Sequence, residues 1–209
     1  KQGLTRDAFA DHWRGGHGPI AARFPGLRGY VQNLVTDDSQ LAIAHKRGDW
    51  SVDGISQLWF DDLDSMDRAI RAPGYAPALS DETAFIGDIS LVACKTNVVK
   101  APDESLPLIK RMSILTRPPQ MPPEAFQHEW WGFHAEAVSK FPNLAGYRQN
   151  LVVARGRTHD AAPSANELRI DGVVELFFRN VGDLKAAFAS PAATVSQTHA
   201  LQFIAEITT

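Results

Sequence analysis

The stretch AFADHWRGGHGPIAARFPGLRGYVQNLV, Ala8–Val35, recurs without a gap as AFQHEWWGFHAEAVSKFPNLAGYRQNLV, Ala125–Val152, with 14 of the 28 positions identical. A second block, Asp53–Phe60 (DGISQLWF), matches Asp171–Phe178 (DGVVELFF), the offset having grown by one residue. Pro73 then matches Pro191, and Phe85-Ile86 matches Phe203-Ile204. The chain is therefore a tandem duplication of a unit of roughly 100 residues, too long a period for a solenoid and the size of a small α+β domain. The two repeats are read as 1–99 and 107–209, joined by the polar, Pro-containing linker 100–106 (KAPDESL).

Each repeat reads alike. Thr5 is an N-cap, with Asp7 in the first turn where the helix dipole favours it. Phe9, Trp13 and His17 follow at i, i+4 and i+8, as do Phe126, Trp130 and His134, which places each trio on one helix face. Turns at Phe-Pro-Gly-Leu and Phe-Pro-Asn-Leu lead into strands at 27–35 and 144–153. After a long polar loop, Ile55–Phe60 and Val173–Phe178 show the period-2 alternation of strands. Helices over 64–71 and 182–189 are read as stopped by Pro73 and Pro191, and strands over 85–94 and 203–208 close the repeats. Repeat 2 also has a strand at 108–116 (LIKRMSILT) before its first helix, where repeat 1 has only Lys1-Gln2-Gly3-Leu4. Repeat 2 is thus β-α-β-β-α-β, a ferredoxin-like layout, and repeat 1 is one strand short. The missing strand is expected upstream of Lys1, or its edge filled some other way. Such a sheet carries both helices on one face and leaves the other bare, so two repeats are expected to bury those faces together in an intramolecular α/β barrel.

Composition narrows the function. At 209 residues, 44% hydrophobic and 22% charged, the chain is of globular type. No run approaches the ~18 apolar residues of a membrane span, and Arg6, Asp7, His12 and Arg14 occupy the place of a signal-peptide core. A net charge of −3 supplies no attraction for nucleic acid. The lone Cys94 excludes an internal disulfide framework and any all-cysteine metal site, and reads as a small strand residue. The expectation is a soluble, cytoplasmic protein that meets neither nucleic acid nor membrane.

The pattern Phe-x-x-x-Trp-x-x-x-His, Pro-x-Leu-x-x-Tyr, Asp-Gly-Ile-x-x-Leu-Trp-Phe resembles the EthD family of the dimeric α/β-barrel superfamily, over both halves of the chain. The resemblance implies a ferredoxin-like fold with a cavity between sheet and helices. It also implies kinship with lactone isomerases, polyketide cyclases and monooxygenases that mostly work without metal or organic cofactor. In related lactone isomerases a helix His and a strand Tyr form the proton-transfer pair. His17 with Tyr30, and His134 with Tyr147, are the matching candidates, each pair thirteen residues apart. Imidazole exchanges protons near neutral pH, and a phenol can hydrogen-bond a developing enolate oxygen. Each His has the alternative reading of a core residue bonded to a backbone carbonyl.

The repeats diverge here: Gly15-Gly16-His17-Gly18-Pro19 is open, whereas Trp131-Gly132-Phe133-His134-Ala135-Glu136 is bulky and reads as continuous helix. One working site, in repeat 1, beside one filled site is the expectation. Gln57, Trp59 and Glu175 on the third element, Gln32 and Asn33 on the second, and His12 on the first helix are candidate substrate contacts. The amides have the alternative of satisfying buried backbone, and the Asp-Gly pairs that of turn chemistry. The dinucleotide-like Gly16–Ala21 follows a helix and holds a proline, so its context fails, and His12 and His17 are five apart, not the four of a helical zinc pair. The leading reading is a cofactor-independent isomerase, lyase or cyclase acting on a small oxygenated aromatic, lactone or polyketide-like molecule. The rivals are a non-catalytic binding or accessory protein of a degradation pathway, and a barrel that binds haem through a histidine. Exposed outer strands leave room for a homodimer.

Overall fold

The computed structural model of the chain describes residues 1, 3–156 and 169–209. They fall into two compact units. Unit 1 holds Lys1–Asp37, Val52–Leu91 and Gly156; unit 2 holds Asp38–Ser51, Val92–Arg155 and residues 169–209. Part of the loop of repeat 2 (157–168) lies outside the described residues.

Unit 1 begins with α1 (Arg6–His12), whose N-cap Thr5 accepts from the Ala8 amide as its sequence predicts. A five-residue π-helical turn, Trp13–His17, leads into α2 (Gly18–Ala21). Strands β1 (Gly29–Leu34) and β2 (Gly54–Trp59) pair antiparallel, with Gly29 opposite Trp59 and Leu34 opposite Gly54. Helices α3 (Leu63–Arg71) and α4 (Ala76–Phe85) follow. Ala21, Phe24, Tyr75 and Ala78 form the local core. Among the described residues no strand precedes α1.

Unit 2 takes most of β3 (Leu91–Lys100) and then the whole of the second β-α-β-β-α-β unit. That unit runs β4 (Ile109–Thr116), α5 (Pro123–Glu129), a second π turn Trp130–His134, α6 (Ala135–Ser139), β5 (Gly146–Gly156), β6 (Gly172–Phe178), α7 (Val181–Phe188), α8 (Pro191–Phe203) and β7 (Glu206–Thr208). The sheet order is β3-β5-β6-β4-β7. Its last four strands have the ferredoxin-like order, and β3, the closing strand of repeat 1, adds to the β5 edge. At the opposite edge the Ile207 amide donates to the Lys46 carbonyl over 2.9 Å, so segment 38–51 of repeat 1 lies along β7. Both edges of the repeat 2 sheet are therefore covered by sequence from repeat 1, which removes the exposed backbone groups that invite strand addition.

Three sequence expectations change. Pro73 and Pro191 start elements as well as ending them: Pro73 opens a 3₁₀ turn into α4, and Pro191 is the first residue of α8, capped by the Ser190 hydroxyl. A proline suits the first helical position, where its missing N–H has no partner to lose. Phe85 and Phe203 consequently end helices, and the strands begin at Leu91 and Glu206. The first helix of repeat 2 is not continuous, because Gly132 (φ −86°, ψ −117°) kinks it. The described strands form one two-stranded and one five-stranded sheet, and no closed barrel is shown among them.

The Asp-Gly pairs hold more than turns. A Cβ on Gly172 would lie 2.4 Å from the Trp130 indole, and one on Gly54 would lie 2.3 Å from that of Trp13. In each repeat the first residue of the third element is glycine because an indole from the π turn rests on its backbone. Trp130 is wholly buried in the cluster of Leu115, Phe126, Leu151 and Phe203. Gly172→Ala should thus overpack the core and cost about 1–3 kcal/mol. The measurement is the urea midpoint; an unchanged midpoint would contradict this account of the motif.

Candidate functional site

An α-helical carbonyl accepts from the amide four residues on; in a π turn the partner is five residues on and the ladder is loosened. The Trp13 carbonyl accepts from the Gly18 amide in this way. It also accepts from Gln32 Nε2 at 2.7 Å, and the same amide group donates to Tyr30 Oη at 2.9 Å. Repeat 2 repeats the device: Gln149 Nε2 donates to the Trp130 carbonyl and to Tyr147 Oη, both at 2.7 Å. Gln32 thereby supports its helix and orients its tyrosine, as the alternative reading of the amides proposed, and Gln149 does the same. His17 and His134 each close their π turn, and both are buried.

What faces these histidines differs between the repeats. In unit 1, Asp81 on α4 accepts from both His17 Nδ1 (3.0 Å) and His12 Nε2 (2.8 Å). Burial lowers the pKa of His17, while the Asp81 hydrogen bond and charge oppose that shift. In repeat 2 the residue matching Asp81 is His199, and the one matching His12 is Glu129. These also pair, His199 Nε2 with Glu129 Oε2 at 3.1 Å, so the imidazole–carboxylate contact is kept with its members exchanged. His199 stacks beside His134 with ring centroids 5.7 Å apart. Burial, then the neighbouring His199, pushes the His134 pKa down to about 3, which leaves the imidazole neutral at physiological pH. Its Nδ1 has no hydrogen-bond partner among the described residues. Burial raises the pKa of Tyr147, keeping the phenol protonated.

His134 and Tyr147 line a cavity of about 360 Å³ between the sheet and helices of unit 2. This is the place the family resemblance implies, and the volume suits a molecule of one or two rings, near the lower end of the ~300–1,000 Å³ of ligand pockets. Leu115, Val174, Leu176 and Ile207 form its floor, and Val138, Phe141 and Phe188 its walls. Ser113, Ser196, Thr198 and Gln197 add neutral polar groups, and Ile43, Ala44 and His45 close one side. Among the described residues no Lys, Arg, Asp or Glu lines it. The sequence favoured repeat 1 for the open site; this cavity lies in unit 2. A haem macrocycle with its propionates is larger than this space and meets no cationic partner among the described lining residues, so no chemistry is derived through it.

The other candidate contacts lie elsewhere. Asn33 Nδ2 donates to the Ile55 carbonyl (2.9 Å) and to Gln57 Oε1 (3.0 Å), joining β1 to β2. Asn150 does likewise to Val173 O and Glu175 Oε1 in unit 2. Glu175 is buried, pairs with Lys110 Nζ at 2.9 Å, and points from the β6 face opposite to Val174 and Leu176, away from the cavity. Trp59 lies over Gly29 in unit 1. Asp81, His199 and His45 were missed. The first two sit four residues before the matched phenylalanines, on the helices that Pro73 and Pro191 introduce.

The model of the EthD domain matches residues 1–88 and 118–205. No curated protein matches the sequence. An anthrone oxidase-like protein is similar in structure, with TM-score 0.62 at 11% identity, over 98% of this chain and 84% of that one. A protein from Lactobacillus acidophilus NCFM proposed to be a monooxygenase gives TM-score 0.53 at 8% identity, over 98% and 87%. An EthD family protein from Bacillus halodurans C-125 aligns with 49% of this chain and 93% of its own, at 17% identity and TM-score 0.39. At these identities the two longer matches speak for the fold. No helix among the described residues is long and apolar enough to cross a membrane.

Because His134 is held neutral in the fold while an unfolded chain protonates it near pH 6.5, the unfolded state binds more protons below that pH. Stability carried by this group is complete above pH 6.5 and is lost as the pH falls toward about 3. Urea unfolding from neutral to acid pH should show that loss, and His134→Leu should flatten its upper part. An equally steep decline in the variant would contradict the buried neutral imidazole.

Proposed function

We propose that this chain, which belongs to the EthD family, binds a small, uncharged, oxygen-bearing organic molecule in the cavity of unit 2 and moves a proton on it, as a cofactor-independent isomerase, lyase or cyclase. One observation carries the reading: a largely apolar cavity, without a charged side chain among its described lining residues, holds a neutral buried imidazole and a protonated phenol. Oxidase-like and monooxygenase-like proteins of related fold support placing the substrate among small oxygenated molecules.

The chemistry follows from the two groups. A neutral imidazole accepts the proton of a carbon next to a carbonyl, and the electron pair of that C–H bond moves onto the oxygen as an enolate. Tyr147 Oη already accepts from Gln149, so its own hydrogen remains to donate to the enolate oxygen. His134, costly to charge in its apolar surroundings, returns the proton to a different carbon, which completes an isomerisation without cofactor.

Solvent deuterium exchange at the α-carbon of 1-tetralone, followed by NMR, tests proton transfer before the natural substrate is known. The folded protein should accelerate exchange, and His134→Ala should reduce the acceleration by ~10²–10⁴-fold. Unchanged exchange in a folded His134→Ala protein would remove His134 from the reaction. Saturable binding of the ketone with exchange no faster than buffer would favour the binding-protein reading instead.

A further inference from the structure

One wall of the unit 2 cavity is supplied by the long β1–β2 loop of repeat 1. Ile43, Ala44 and His45 line the cavity, and the segment around them is sewn to unit 2 along its length. Arg111 on β4 donates to the carbonyl of Gln40 at 2.7 Å and, at 3.4 Å, to that of Leu41. Further along, Lys46 pairs with Glu206 at 2.5 Å, and the backbone of 46–48 exchanges hydrogen bonds with Ile207. Gly48 approaches β7 so closely that a Cβ there would lie 2.9 Å from Thr208 Oγ1. Between these anchors Leu41 (φ 27°) and Ala42 (φ 60°) take left-handed backbone, a conformation that L-residues keep only where the surroundings enforce it.

His45 is the polar group this segment brings to the cavity. Its Nε2 lies 2.8 Å from the Ile204 carbonyl. A carbonyl only accepts, so Nε2 carries the hydrogen, and in that tautomer Nδ1 is the acceptor. No cation is among the described lining residues, so none of them favours a carboxylate.

We propose that segment 38–51 is a strap closing the repeat 2 cavity, and that His45 is its specificity-determining residue, accepting a hydrogen bond from a hydroxyl of the bound molecule. The inference rests on the cavity reading given above and extends it: the working site of one repeat is completed by a residue of the other, and it selects a neutral hydroxyl-bearing ring compound over its ether or its acid.

Calorimetric titration with 1-naphthol and with 1-methoxynaphthalene tests this, on the full chain and on two variants whose folding is checked by thermal unfolding. The wild-type chain should bind the naphthol about tenfold more tightly, the worth of one net hydrogen bond. His45→Leu should bring the two affinities together. Gly48→Val, which leaves His45 intact but pushes the strap off β7, should also shrink the ratio. If both probes bind and each folded variant keeps the wild-type ratio, the role of His45 and the strap is overturned while the cavity reading stands. If neither probe binds the wild-type chain, the cavity reading fails and this inference with it.

Discussion

The carbonyl of Trp130 is the point on which unit 2 is organised. It belongs to a π turn, where the α-helical ladder is loosened, and its buried position requires a partner. Gln149 supplies one from β5 and, with the same amide nitrogen, holds the phenol of Tyr147. A strand is thereby locked in register against a helix, and the residue closing the π turn, His134, is brought to the cavity that Tyr147 lines. The indole of the same tryptophan rests on Gly172, which ties the start of β6 to the turn. Trp13, Gln32, Tyr30 and Gly54 repeat the same hydrogen bonds and the same indole–glycine contact in unit 1.

Given so closely shared a frame, the differences between the repeats carry the functional meaning. Asp81 takes hydrogen bonds from two imidazoles, which gives His17 a charged partner. His199 in the matching place gives His134 a second imidazole and no anion of its own, since Glu129 pairs with His199. His134 therefore meets an apolar cavity as a neutral group. Duplication also changes how the chain is divided in space. The strap 38–51 and most of β3 belong by sequence to repeat 1 and by packing to unit 2, where they cover the two edges of one sheet.

Much of this was legible in the residues. The gapless repeat, the alternation along 173–178 and the extra strand at 108–116 were enough for the ferredoxin-like order, because each is a local pattern with one physical reading. The π turns were not legible: Phe-x-x-x-Trp-x-x-x-His has the spacing of an ordinary helix, and only the buried Gln149 shows that a carbonyl needed a partner. Reading Pro191 as a stop hid α8, and with it His199. The glycines of 15–18 suggested an open site in repeat 1, whereas cavity volume depends on how helices sit over a sheet, which residue size at one turn does not determine. His45 lies in a polar loop without period, and its place at the cavity is set by contacts with β7 far along the chain.

The central claim is that the cavity around His134 and Tyr147 is where this chain holds its ligand. A crystal structure grown with 1-naphthol addresses it most directly. The account predicts the ring between β4, β6 and α8, with its hydroxyl within hydrogen-bond distance of His134, Tyr147 or His45. A naphthol ordered beside His17 and Asp81, with the unit 2 cavity empty, would contradict it.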